Sequence, residues 1–294
     1  MAELVYLNGA FVPRSEAAIS IDDRGFVFAD AIYEVVKCYR GRPYRLDDHL
    51  ARLARGAEVV RLDLDGGVGE LASAVERLLR ENHLLEVDAS LFLQVSRGPG
   101  PRNHPFPTSA RPTTLVIASP VPPLDPVTYS QGVRAITVPD RRWGMCDVKT
   151  VGLLLNVLAK QAALDAGVAE AIFVRDGVVV EGASANFFAV RDDRLITHPE
   201  GPQILPGITR QAALENAAAE CIPVELRGLK VEELATIDEA FLTGTGTEVL
   251  PIVEIDGQPV GSGTRGPVTE VLQRRHFLLT RGAGIEAAGT GSGR

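Results

Sequence analysis

A chain of 294 residues with 45% apolar side chains is long enough for two domains or one large one, with a sizeable core. Its net charge of −8, from 30 basic and 38 acidic residues, favours solubility and argues against non-specific nucleic-acid binding. Three widely spaced cysteines, Cys38, Cys146 and Cys221, fit a reducing cytoplasm better than a disulfide framework, and no spacing suggests zinc. The start, MAELVYLNGAFVP, carries Glu3 and lacks a basic segment followed by an apolar one, so no signal peptide is expected. No apolar run reaches the roughly 18 residues that a membrane helix needs.

Residues 3 to 13 read as two short strands around Asn8-Gly9, a strong hairpin signal. Asp22 to Gly25 marks a turn. Ile32 to Tyr39 is rich in β-branched and aromatic residues, and Arg40-Gly41 turns it into a second hairpin with residues 43–46. Asp47 is placed to cap a helix running to about Arg61, with Leu50, Leu53 and Ala57 on one face. A second amphipathic helix covers about Glu70 to Asn82. Strands are expected over Ser90 to Ser96 and Thr113 to Ser119. Between them lies a long loop crowded with glycine and proline, RGPGPRNHPFPTSARP, of a length that is usually functional or disordered.

The segment PVPPLDP, residues 120–126, is the best linker candidate. Strands and helices before it mix without a βαβα rhythm, so an α+β domain is expected over 1–119. A second domain is expected over 127–281, and residues 282–294 have the composition of a disordered tail. The second half opens with a strand over Val133 to Val138 and a helix over about Leu155 to Ala166. Strands follow over Ala171 to Arg175, Val178 to Val180, Asn186 to Val190 and Arg194 to Thr197. A helix near Thr209 ends before Pro223. Strands around Ala240 to Thr243 and Val249 to Ile255 precede a last helix over about Pro267 to Leu279. Asp176-Gly177 and Asp256-Gly257 mark tight turns. No internal repeat is visible.

Several residues invite chemistry. Lys149, in RRWGMCDVKT, heads an apolar run, and lysines are rarely buried without a reason. Desolvation lowers the pKa of such an amine, and a neutral amine attacks a carbonyl to form a Schiff base. Taken alone, a lysine whose ammonium reaches solvent is the simpler reading. Glu181 ends the apolar strand VVV before Gly182-Ala183-Ser184, where a buried carboxylate needs a partner such as a protonated ring nitrogen. Pro206-Gly207 leads into a helix whose first amides belong to Ile208 and Thr209, a ready phosphate site. Glycines and hydroxyls in LTGTGTEVLP, including Gly244 and Thr245, suit phosphate oxygens as well as a plain turn. Arg102 and His104, within the long loop, suit a carboxylate or plain solvent. Arg52, on the helix after Asp47, would be justified pointing inward by a phosphate dianion. A reactive lysine, a carboxylate, an arginine and two phosphate-binding turns are the parts a pyridoxal-phosphate enzyme needs.

From YLNGAFV to the last helix the chain resembles the fold-type IV pyridoxal-phosphate aminotransferases (class IV), most closely the D-amino acid transaminases. DRGFVFADAIYEVVK, LDDHLARL, SRGPGPRNHPFP, RRWGMCDVKT, EGASANFF, LPGITR and TGTGTEVLP carry the resemblance in that order. It implies a small N-terminal α/β domain and a larger β-rich C-terminal domain with flanking helices. It implies that Lys149 binds pyridoxal 5'-phosphate covalently and shuttles a proton. Glu181 would face the pyridine nitrogen and Leu205 the ring. Arg52, Ile208, Thr209 and Thr245 would hold the phosphate, beside Gly244. Tyr33, Arg102 and His104 would take the substrate carboxylate, the last two from the partner subunit of a cytoplasmic homodimer. The sequence departs from the family at Ala29 and Ala31, often glycines and expected to narrow the pocket near Tyr33. It departs also at Gly244, often a hydroxyl residue, and at Ala185, often serine.

The implied reaction moves the amino group of a D-alanine-like amino acid to a 2-oxo acid such as 2-oxoglutarate. No metal, nucleic acid or membrane is implied. Three alternatives stand beside it: an L-branched-chain aminotransferase, an (R)-selective amine transaminase and an aminodeoxychorismate lyase. Arg102, His104 and Tyr33 argue against the first; Lys149 does not exclude the lyase.

Overall fold

The protein was analysed as a computed structural model that describes residues 3–109, 111–122 and 124–282. Residues 283–294 of the expected tail lie outside the described residues. The chain divides into two compact units. The first comprises Met1–Pro123 together with Val148–Leu153; the second comprises Leu124–Asp147 and Leu154–Arg294. None of the described helices is long and apolar enough to cross a membrane.

The first unit begins with strands β1 (Leu4–Leu7) and β2 (Ala10–Pro13). Helix α1 (Arg24–Phe28) follows, then β3 (Ala31–Tyr39), β4 (Arg42–Pro43), α2 (Leu46–Val59), α3 (Gly67–Glu81), β5 (Ala89–Ser96) and β6 (Thr113–Pro120). Its six strands form one antiparallel sheet in the order β2-β1-β6-β5-β3-β4. Strand alternation decides the faces. Ile32 and Val36 of β3 join Leu91, Leu93 and Val95 of β5 under Leu50, Leu53 and Ala57 of α2 and the apolar stripe of α3. Tyr33, one residue out of phase, lies on the opposite face.

Sequence and structure differ here in two places. Asp23, expected in a plain turn, caps the short α1 by accepting from the Gly25 amide at 2.8 Å. Asp47, expected to cap α2, lies instead within its first turn, and Arg45 occupies the cap position in the left-handed region at φ 53°. The hairpin ends too close to the helix to leave an extended residue at Asp47, and the carboxylate contributes there only through the helix dipole.

The second unit contains α4 (Pro126–Gln131), β7 (Val133–Pro139), α5 (Leu154–Asp165), β8 (Glu170–Arg175), β9 (Val178–Gly182), β10 (Asn186–Arg191) and β11 (Arg194–Thr197). It continues with α6 (Ile208–Ala219), β12 (Val224–Leu226), β13 (Leu229–Lys230), β14 (Glu239–Gly244), β15 (Glu248–Ile255), β16 (Gln258–Pro259) and α7 (Pro267–Arg281). The strand order is β12-β11-β10-β14-β15-β7-β8-β9-β13, with β16 on β15. One further pairing, Glu181 with Asn186, joins β9 to β10 and closes the middle strands into a ring. Leu242, Phe187 and Ile252 pack into one cluster, while Phe188, Phe241 and Leu195 pack with Ala213, Ala217 and Leu272 of α6 and α7. Covered on both faces, β10 is buried at Asn186 to Val190, which explains its unbroken apolar run. The hairpins at Asn8-Gly9, Asp176-Gly177 and Asp256-Gly257 turn through paired positive φ angles, as their sequences require.

Ala29 ends α1 at φ 56° and ψ 26°, a left-handed position that favours glycine. A Cβ there costs roughly 1 kcal/mol or more of backbone strain, partly offset by the greater entropy a glycine would give the unfolded chain. Ala29→Gly is therefore expected to stabilise the fold by about 0.5 kcal/mol, read as a higher denaturant midpoint at unchanged m value. A lower midpoint would show that the Ala29 methyl packs more favourably than its backbone is strained.

Candidate active site

Lys149 is placed by backbone pairing. The Tyr33 amide donates to the Lys149 carbonyl at 3.1 Å, and the Val151 amide to the Ala31 carbonyl at 3.1 Å. Residues 149–151 thereby line the stretch of the β3 edge that the two-residue β4 leaves open, with Ile32 bridging to Thr150. Val148 anchors the segment in the core of the first unit. The Lys149 ammonium lies 4.4 Å from the Tyr33 ring centroid, and Tyr33 leans on Phe92 at 5.8 Å. Arg102 and His104 are exposed on the long loop and gather at another ring, Phe28, at 5.9 and 5.8 Å from its centroid. Among the described residues no ring contact or hydrogen bond joins either of them to Tyr33.

Arg52 does point inward. Its Nε and Nη2 donate to the two oxygens of Glu34 at 2.7 and 2.8 Å, and His49 Nδ1 meets Glu34 Oε2 at 2.7 Å. Glu34 is fully buried, and Arg52 and His49 nearly so. Burial opposes ionisation of Glu34, but the hydrogen bonds from Arg52 and His49 outweigh it and hold the pKa at about 2. For His49 burial dominates: it lowers the pKa against the pull of Glu34, helped by the charges of Arg52 and Lys149.

The second unit presents Glu181, also buried. Its Oε1 accepts from Arg142 Nη1 at 2.6 Å; its Oε2 accepts from Asn186 Nδ2 at 3.0 Å and the Leu205 amide at 3.1 Å. Arg142 is itself clamped by Asp140, whose oxygens accept from Nε and Nη2 at 3.0 Å, and lies over the Phe173 ring. Arg175 adds a second cation to Asp140 at 2.8 Å. The carboxylate of Glu181 is thus fixed by these donors at the ring-closing pair of strands. Helix α6 starts at Ile208 and Thr209, both buried, with no side chain capping Gly207. A Cβ on Gly207 would stand 2.0 Å from Asn186 Oδ1, so the tight approach demands glycine. Thr243 faces the same side of the sheet as its strand partner Asn186, and its buried hydroxyl has no hydrogen-bond partner among the described residues. Gly244 and Thr245 follow it, half-buried.

Sequence reasoning missed Glu34, His49, Asp140, Arg142 and Asn186, and named Thr243 only as one hydroxyl of the LTGTGTEVLP turn. The signals were faint but present. Glu34 interrupts the inward row Ile32-Glu34-Val36; His49 and Arg52 share the apolar face of α2 with Leu50 and Leu53.

With this geometry in hand, comparison with known proteins is direct. Residues 31–255 match the amino-transferase class IV family. D-alanine aminotransferase of Bacillus licheniformis is 39% identical over 92% of this chain and 94% of its own. Its counterpart in Staphylococcus epidermidis is 41% identical over 92% and 95%. Among solved structures, branched-chain amino acid aminotransferase of Escherichia coli superposes with a TM-score of 0.89 at 28% identity, covering 98% of both chains. A T.th. branched-chain amino acid aminotransferase with pyridoxamine 5'-phosphate gives 0.88 at 28%, covering 96% of this chain and 95% of that one. The chain belongs to the class IV aminotransferases.

It is accordingly an aminotransferase dependent on pyridoxal phosphate. The residues present fit that cofactor. An uncapped buried helix start and an unpartnered buried hydroxyl at Thr243 suit phosphate oxygens. A rigidly held buried carboxylate suits a protonated ring nitrogen.

The Glu34 cluster makes stability depend on acid. A depressed carboxylate pKa contributes stability above the ordinary value of 4.5 and loses it as pH falls towards about 2. The amount is on the order of 3 kcal/mol. His49, depressed as well, begins to destabilise the fold once pH drops below its ordinary value of 6.5. Denaturant titrations from pH 7 to 3 should show this decline, and Glu34→Gln should be less stable at pH 7 yet lose less on acidification. Equal slopes in both proteins would place the acid sensitivity elsewhere.

Proposed function

We propose that this aminotransferase moves the amino group of a D-amino acid, D-alanine or one of similar size, to a 2-oxo acid such as 2-oxoglutarate. The observation that carries the reading is the 38–41% identity, over 92% of the chain, to proteins named D-alanine aminotransferase. Arg102 and His104 on the loop and Tyr33 beside Lys149 support it. The likeness to branched-chain aminotransferases, at 27–28% identity among the structures compared, supports the alternative less strongly.

Bound pyridoxal phosphate supplies an electron sink for the carbanion that develops at the substrate's α-carbon. Lys149 would hold the cofactor covalently at rest, and its amine, once freed, would be the base for the substrate's α-proton. Glu181 holds the pyridine nitrogen protonated, oriented by Arg142, Asn186 and the Leu205 amide. The amides of Ile208 and Thr209, the hydroxyl of Thr245 and the guanidinium of Arg52 bind the phosphate, beside Gly244, and Leu205 supports the ring face. Glu34 keeps Arg52 from swinging by engaging two of its nitrogens. Tyr33, Arg102 and His104 bind the substrate carboxylate, where a guanidinium fork offers two parallel bonds.

We further propose a cytoplasmic homodimer. The three cysteines are free. On α5 the apolar side chains Leu154, Val157, Leu158 and Leu164 are more than half exposed, an unusual loss of apolar area for a chain that stays alone. In the first unit a cavity of about 620 Å³ is flanked by Ile21 and Phe26, 80% and 82% exposed. Its lining includes neither Lys149 nor Tyr33, so a neighbouring chain suits it better than a substrate.

An assay with 2-oxoglutarate and each enantiomer of alanine and leucine tests the substrate class. Turnover of D-alanine, absent in Lys149→Ala together with the absorbance of the bound cofactor, is the expected result. Turnover of L-leucine alone would replace this reading with the branched-chain one. Subunit mixing tests the shared trap. Lys149→Ala and Arg102→Ala chains, unfolded and refolded together, should pair randomly, and about a quarter of all sites should regain wild-type kinetics. If Arg102 serves its own chain, no site recovers, although wild-type chains refolded in parallel do.

A further inference from the structure

The loop that carries Arg102 and His104 has no ladder or helix of its own, and its shape comes from one buried guanidinium. Arg24, 4% exposed at the start of α1, donates through Nη1 to the carbonyls of Asn103 at 2.7 Å and Pro105 at 3.5 Å. Its Nη2 donates to the carbonyl of His104 at 3.3 Å. Three successive carbonyls of the loop therefore point at the same side chain. The base of the loop is stitched to the same stretch: the Arg24 amide donates to the Gly98 carbonyl and the Gly100 amide to that of Asp22.

Arg24 is itself aimed. Its Nε donates to Asp30 Oδ2 at 2.8 Å, and it lies over Phe28, 4.7 Å from the ring centroid. Asp30 also takes two bonds from Arg97, at 2.8 and 3.0 Å. Arg97 in turn donates to the carbonyls of Val60 and Arg61 at the end of α2 and lies 3.7 Å from the centroid of Phe106, another loop residue. Burial opposes the charge on Asp30, but the hydrogen bonds of Arg97 and Arg24 outweigh it and lower its pKa. Phe28 is shared: Arg24 approaches it, and so do Arg102 and His104. Pro101, Pro105 and Pro107 have no N–H, so the loop has few backbone donors of its own; the Asn103 amide uses one on the Pro101 carbonyl at 2.7 Å. A guanidinium supplies five donors in a fixed fork; an ammonium cannot reproduce that geometry.

We propose that Arg24 is a positioning residue for substrate recognition: by holding the carbonyls of Asn103, His104 and Pro105 it sets where Arg102 and His104 present their charge to the substrate carboxylate. The inference rests on the reading of Arg102 and His104 as that carboxylate's ligands. It predicts a fault in binding rather than in chemistry, because Arg24 touches neither Lys149 nor Glu181.

The test uses the holoenzyme and Arg24→Lys, which keeps the charge and removes the fork. Hydrogen exchange without substrate reads the loop directly. The amides of Arg102, Asn103, His104 and Phe106 should exchange about tenfold faster or more while those of β3 and β5 stay protected. The KM for the accepted D-amino acid should rise about tenfold, with kcat within about twofold, since misplacement of about 1 Å at a binding group is that costly. Unchanged exchange would overturn the proposal, and so would faster exchange with an unchanged KM while Arg102→Ala raises it. If Arg102→Ala itself leaves KM unchanged, the carboxylate reading fails and the proposal with it. Asp30→Asn, which loosens the same guanidinium and retains its shape, should give the same split in milder form and carries the test should Arg24→Lys not fold.

Discussion

The first unit depends on the unpaired end of β3. Because β4 pairs only with Cys38 and Tyr39, the amide of Tyr33 and the carbonyl of Ala31 need partners. Residues 149–151 supply them, and Lys149 is carried along with its backbone. Lys149 is therefore held by hydrogen bonds that every sequence possesses, not by contacts of its own side chain. The same strand orders everything near it by alternation. Tyr33 faces the lysine, while Glu34 turns to α2 and finds His49 and Arg52. A shift of β3 by one residue would exchange those roles and bury Tyr33 among helices.

Both units bury a glutamate, and in both the burial is made tolerable by saturation. Glu34 is met by Arg52 twice and by His49, Glu181 by Arg142, Asn186 and the Leu205 amide. An isolated buried carboxylate would cost several kcal/mol or protonate. Replacing either network with apolar side chains would leave a stable protein on energetic grounds alone, so stability does not explain them. What they provide is fixed direction. Arg52 and Glu181 cannot rotate without abandoning two or three charge-assisted bonds, which is the condition for presenting a charge at a set angle to a bound anion or ring.

Much of this was legible in the sequence. Hairpins at Asn8-Gly9 and Asp176-Gly177, the apolar stripe of α2 and the longer strands of the second half follow from local chemistry and appear where the chain predicts them, whereas the short β12, β13 and β16 carry no strand signal of their own. Local chemistry failed where a residue answers to a distant partner. Asp47 has the right side chain for a cap, but the preceding hairpin sets the helix start. Arg142 and Asp140 look like a charged turn in sequence; only the fold brings them to Glu181, 39 residues on. Val148–Leu153 follows the linker in the chain yet packs in the first unit, since a strand edge recruits any segment that reaches it. Thr243 is named in sequence beside Thr245 and Thr247, but which of these hydroxyls lacks a partner is a property of the folded interior.

The two kinds of likeness divide the molecule in a way that physics makes sensible. The fold superposes on a branched-chain aminotransferase with a TM-score of 0.89 at 28% identity, whereas identity is higher, 39–41%, with D-alanine aminotransferases. The residues proposed for the chemistry stand on rigid elements: Lys149 on the β3 edge, Glu181 at the strand pair that closes the ring, Ile208 and Thr209 at a helix start. These positions tolerate little change, because each is bonded to strands or helices that must stay where they are. Arg102 and His104 stand on a loop without a ladder, whose carbonyls at Asn103 and His104 are held by the Arg24 side chain. Such a loop can be rebuilt by a few substitutions while the sheet beneath it stays intact. Substrate choice can then diverge faster than the fold, which is why the fold alone says aminotransferase and the proposed substrate rests on the loop as well as on identity.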